Sequence, residues 1–230
     1  MVKLFAPRRI SIVALMYCSQ LLGQEQVASW LPLDVGNRWT YEHEVLSGTA
    51  AGPEIVRWTT DETIVGLVHA VEGTVVRRRI VFNGHPDTSW LAGYGESSYL
   101  IRANCIYLVP ESDWDSGAQQ LRPKFRDRLL NGQESPMLCF PLTIDKEWGS
   151  PDLGTGWHVV GFGRGDKFAP PSVKEQAFHI VSNYFTSGDT MHIWFQRGIG
   201  ITGEWAWHNG TYFELRVRLL SFEPVVTRRE

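Results

Sequence analysis

The 230-residue sequence predicts an all-β domain: a strongly curved antiparallel sheet or open barrel of roughly ten strands, with one short helix at most. Three observations carry this. Short runs of alternating apolar and polar residues recur along the chain. Gly, Asn, Asp and Pro punctuate them at short spacing, and no segment sustains a helical apolar period with caps at both ends.

Taken in order, Lys3, Arg8 and Arg9 precede the apolar run Ile10 to Leu22. That run is too short to cross a bilayer and has the form of a secretory h-region, so residues 1–23 are expected to be a signal peptide removed near Gly23. Cys18 follows the bulky Tyr17, which does not fit lipid attachment. Residues 24–230 are then one antiparallel β-rich domain, periplasmic or extracellular, with no membrane span after cleavage.

The strands expected are Trp39 to Val45, Ile55 to Thr63, Ile64 to Val71, Thr74 to Phe82, Ser98 to Cys105, Trp157 to Gly163, Ala177 to Phe185, Thr190 to Phe195, Ile199 to Trp207 and Tyr212 to Phe222. Between them lies a long excursion, Pro110 to Pro136, whose basic stretch Leu121 to Leu130 could hold a short helix; loops of this length often act as lids or binding loops.

At the final hairpin, Asn209-Gly210 marks a turn. A three-residue loop, His208 to Gly210, gathers Ile201, Trp205, Trp207, Phe213, Leu215, Val217 and Leu219 on one face. The same register puts Glu204 opposite Glu214 on the other.

Net charge is −3 for the whole chain, and −6 without the three signal-segment cations, so nucleic acid is not an expected partner. Two cysteines remain, Cys105 and Cys139. An even pair in an oxidising compartment is expected to form a disulfide, the alternative being two buried thiols.

The segments Leu31-Pro32-Leu33-Asp34-Val35-Gly36-Asn37-Arg38-Trp39-Thr40-Tyr41 and Trp194-Phe195-Gln196-Arg197-Gly198-Ile199-Gly200-Ile201 together resemble the opening strand and late bend of uncharacterised secreted bacterial β-proteins. That group is similar in architecture to the curved-sheet lipoprotein carriers of the periplasm. The resemblance implies a bent sheet enclosing an apolar cleft, and no catalytic residues. Physically, Gly36-Asn37 turns the chain into the first strand, Trp39 and Tyr41 point to one side and Thr40 to the other, and Gly198 with Gly200 permits a bulge or bend.

The search for chemistry excludes more than it finds. The seven histidines show no metal-ligand spacing, so no metal and no cofactor are expected; His179 and His192 sit on adjacent predicted strands. There is no G-x-S-x-G elbow, and Gly161 to Gly165 lacks the Lys-Ser/Thr and helix of a phosphate loop.

The ten tryptophans are the unusual feature of composition. Trp39, Trp58, Trp205 and Trp207 are expected inside, and Trp90, Trp114, Trp148 and Trp157, flanking loops, are the ligand-facing candidates. The function expected is non-enzymatic, with a hydrophobic small molecule or another exported protein as partner. The alternative is a carbohydrate-binding or glycoside-hydrolysing protein that uses the loop tryptophans and the Glu204/Glu214 pair.

Overall fold

The computed structural model describes residues 27–49, 52–84, 97–150, 155–163, 169–171, 173–174, 176–184, 189–208 and 213–225. The expected signal segment, Trp90 and the Asn209-Gly210 turn lie outside them. Its strands are β1 (Arg38–Thr49), β2 (Gly52–Ala70), β3 (Gly73–Asn83), β4 (Ser98–Arg102), β5 (Cys105–Val109), β6 (Trp114–Asp115), β7 (Gln120–Leu121), β8 (Leu138–Cys139), β9 (Glu147–Ser150), β10 (Thr155–Phe162), β11 (Ala177–Tyr184), β12 (Asp189–Gln196), β13 (Gly200–His208) and β14 (Phe213–Glu223). Helix α1 (Pro123–Leu130) lies between β7 and β8.

Twelve strands form one antiparallel sheet, in the order β8-β5-β4-β3-β2-β1-β14-β13-β12-β11-β10-β9, which curls nearly into a closed barrel. The count exceeds the ten expected because strands of two to four residues are too short to show alternation. Two other differences have local causes. The two strands expected over Ile55 to Val71 are one, Gly52–Ala70, with a bulge at Val65 that lets it continue from pairing with β1 to pairing with β3. Ser98 to Cys105 is broken at Ala103, which adopts a left-handed conformation without the glycine that would have signalled a turn.

The curl comes from four extra residues in the ladders: Val65 in β2, Val160 in β10, Thr202 in β13 and Leu220 in β14. A bulge bends its strand and increases its twist. Three of these residues, Val65, Val160 and Leu220, are exposed apolar side chains. Gly198 and Gly200 instead make the turn from β12 to β13, both with positive φ. At Gly200 φ is +106°, a conformation that favours glycine, and a Cβ there would also lie 2.8 Å from the Leu31 side chain.

Residues 27–33 close that end of the barrel. Val27, Trp30 and Leu33 are buried in the main core, and the Trp30 ring packs on Phe140, Phe178 and Phe195. Trp39 and Tyr41 point inward as expected, donating hydrogen bonds to the carbonyls of Ile199 (2.6 Å) and Ile201 (3.1 Å). Thr40 points outward, its hydroxyl 2.7 Å from Asp61.

The excursion docks on the outer face of the sheet. Helix α1 begins with Pro123 at its first position, where the missing N–H costs nothing. Phe125 and Leu129, one turn apart, join Trp114 and Leu121 over Val75, Leu100 and Val109 in a second core. Cys105 and Cys139 are bridged, tying β8 to β5 in register across a separation of 34 residues.

The final hairpin departs from the expected register. Glu204 pairs with Val217, Ala206 with Leu215 and Trp207 with Glu214. The expectation rested on one apolar face, yet both faces here are partly buried. Outside, Ala169 and Val173 cover Trp194 and Trp205, and the Trp205 indole donates to Glu214 at 2.6 Å. Trp205 and Trp207 therefore sit on the outer face, Trp207 exposed. Glu204 turns inward and Glu214 outward.

Candidate functional site

The inward register leaves an open cavity of about 640 Å³ on the concave side of the sheet, which reaches Phe125 and Arg128 of α1 at its rim. Its walls are mostly apolar: Trp58, Ile80 and Phe82 from β2 and β3, Leu108 from β5, Trp157 from β10, Met191 and Ile193 from β12, and Leu215 and Val217 from β14. Pro136 and Met137, at the end of the excursion, complete one side.

Toward the closed end the wall becomes polar. Glu62 and Arg78 form an ion pair at 2.8 Å, and the Arg78 guanidinium lies 3.8 Å from the centroid of the Tyr99 ring. A second Arg78 nitrogen donates to Ser97. Tyr41, Glu62, Arg78 and Tyr99 also border a small void of about 30 Å³ lined by Leu31, Leu33 and Trp39, so this layer divides the cavity from the base. Further along, His43 stacks on Trp58 and its Nε2 lies 2.8 Å from the Thr60 hydroxyl.

Glu204 enters this wall from β13 between Ile193 and Val217. Burial pushes its carboxyl up to about 7; the Glu62 charge acts in the same direction and Arg78 against it. Burial likewise raises the Tyr99 hydroxyl to about 12, and holds Tyr41 well above the ordinary phenol range. Both phenols thus stay protonated at any physiological pH.

No family model matches the chain, and no curated protein matches it. Solved structures of similar arrangement exist. A protein described as exported and of YmcC-like fold, from Bacteroides fragilis, is 10% identical, with a TM-score of 0.39 over 84% of this chain and 98% of that one. One described as a lipoprotein from Parabacteroides distasonis is 9% identical, TM-score 0.41, over 85% and 99%. A domain described as an outer membrane lipoprotein-sorting protein from Vibrio parahaemolyticus is 7% identical, TM-score 0.27, over 94% and 95%. Scores at this level carry no inference about ligand or role.

Of the tryptophans expected to face a ligand, Trp157 lines the cavity, and Trp148 on neighbouring β9 stacks parallel to it at 6.3 Å between centroids. Trp114 is buried in the core beneath the excursion. Glu204 and Glu214 are not brought together, since they face opposite sides of the sheet. His179 and His192 do meet, with Nε2 and Nδ1 2.8 Å apart, but on the outer face against Trp194 and Trp205. Among the described residues no group of three or more His, Cys, Asp or Glu side chains is placed to hold a metal.

Sequence reasoning missed Glu62 and Arg78. Arg78 is the middle of Arg77-Arg78-Arg79 and Glu62 lies in Asp61-Glu62-Thr63, so only the register tells which charge of each run turns inward.

Proposed function

We propose that this chain is an exported, non-enzymatic protein that holds a hydrophobic or lipid-like molecule inside its barrel. The carrying observation is the cavity of about 640 Å³, which falls in the range of about 300–1,000 Å³ typical of small-molecule sites and has largely apolar walls with a few convergent polar groups. A bridged cysteine pair suits the oxidising compartment that the N-terminal pattern implies. Burying a ligand's apolar surface supplies about 25 cal/mol per Å², enough for useful affinity without covalent chemistry.

The test is native mass spectrometry of protein purified from its own exported fraction, together with uptake of an apolar fluorescent dye. A co-purifying small molecule, and dye uptake that Ala206→Trp abolishes, are expected, because Ala206 lines the cavity and an indole there would occupy it. An empty protein that takes up no dye, or uptake unchanged by Ala206→Trp, overturns the reading.

A further inference from the structure

The polar groups of the cavity do not balance. Glu62 is met by Arg78, and Glu134, at the rim, is met by Arg128. Glu204 alone among the described lining carboxylates has no cation, and no described residue hydrogen-bonds it.

None of the described groups around it forms a hydrogen bond or ion pair with it. Its strand neighbours Ile193 and Val217 are aliphatic. Tyr41 has committed its hydroxyl to the Ile201 carbonyl. Arg78 is held by Glu62, by Ser97 and by the face of Tyr99. A half-buried carboxylate is stabilised by a paired cation or by water, and no described residue is paired with this one.

We propose that the molecule held in the barrel carries a primary amine at one end of an apolar chain, and that the ammonium seats on the Glu204 carboxylate while the chain lies along the apolar walls. This rests on the reading of the barrel as a hydrophobic-ligand site and names the chemistry of its occupant. A chain ending in a carboxylate would meet an excess of negative charge at the same point. One ending in a hydroxyl would leave the charge of Glu204 unmatched.

The weakened acidity of Glu204 in the empty site is consistent with this seat, because an ammonium would favour the ionised form and expel a proton. Amine binding therefore strengthens as pH rises from about 6 to about 8. The groups facing Glu204 are Tyr41 on β1, Glu62 on β2, Arg78 on β3 and Tyr99 on β4, and both phenols keep their protons across that window. His43, which also lines the cavity, is engaged by Thr60 and Trp58.

The experiment is calorimetric titration of the whole exported chain with decylamine, decanol and decanoate near pH 8. Decylamine is expected to bind about tenfold or more tighter than decanol, as a charge-assisted hydrogen bond predicts, with decanoate weakest. The amine-to-alcohol ratio is expected to collapse in Glu204→Gln and to shrink in the unaltered chain near pH 6. That second measurement holds whether or not the variant folds. Equal binding of amine and alcohol, tightest binding of decanoate, or a ratio that survives in a folded Glu204→Gln overturns the amine assignment while leaving the cavity reading intact. Binding of none of the three overturns both.

Discussion

Replacing Glu204 by Gln removes the carboxyl group whose acidity the fold perturbs most usefully for a stability measurement. The unfolded chain releases that proton near the ordinary value of 4.5, and the folded chain only near 7. Between those values the unfolded state binds fewer protons, so the contribution of Glu204 to stability falls as pH rises. It is fully present below about 4.5 and lost once pH passes about 7. The displacement corresponds to about 3 kcal/mol. The glutamine keeps the shape and cannot ionise. Urea denaturation of both proteins, disulfide intact, at steps from about pH 4 to about pH 8 isolates the effect as the difference between the two curves, because all other titrating groups are shared. That difference is expected to move by about 3 kcal/mol in favour of the variant, or roughly 5–10 °C in melting temperature for a chain of this size. A difference that stays flat across the window, or moves in favour of the natural residue, refutes the burial of an unpaired carboxyl.

Three other outcomes follow from the same structure. Arg78→Met leaves Glu62 as a second uncompensated acid beside Glu204 and is expected to cost about 3–5 kcal/mol in chemical denaturation; the double variant with Glu62→Gln should recover a large part, and a purely additive double variant would refute the pairing. Reducing Cys105–Cys139 should raise the mass by two hydrogens and lower stability by about 4 kcal/mol, as expected for a loop spanning a separation of 34 residues, with a mass unchanged by reductant as the contrary result. Trp30→Ala removes the ring that packs on Phe140, Phe178 and Phe195 at the closed end, and should cost about 3–5 kcal/mol in thermal melting; a loss below about 1 kcal/mol would mean residues 27–33 do not close the barrel.

Much of the fold was legible because an extended strand with one buried face writes its orientation into every second residue. Val75 and Val76 show where that signal fails: both are buried, one under α1 and one inside the barrel, so β3 has no clean alternation at its start. The same double burial misled the register of the last hairpin, where Trp205 is covered from outside by Ala169 and Val173. The candidate site was less legible. Trp157 and Glu204 could be singled out by residue type, but what they face could not, since Arg78, Glu62 and Tyr99 come from strands distant in sequence.

The sequence by itself determined the β class and the inward direction of Trp39 and Tyr41, and it marked the excursion as able to hold a short helix and Cys105 and Cys139 as the pair expected to bridge. These depend on local periodicity, on the composition of the basic stretch Leu121 to Leu130 and on an even count of thiols. Only the tertiary structure decided how far the sheet closes, which of three consecutive arginines turns inward, and that Glu204 faces a cavity in which no described cation pairs with it. Bulges at Val65, Val160, Thr202 and Leu220 set the curl and reset the register, and their positions follow from the fit of the whole barrel.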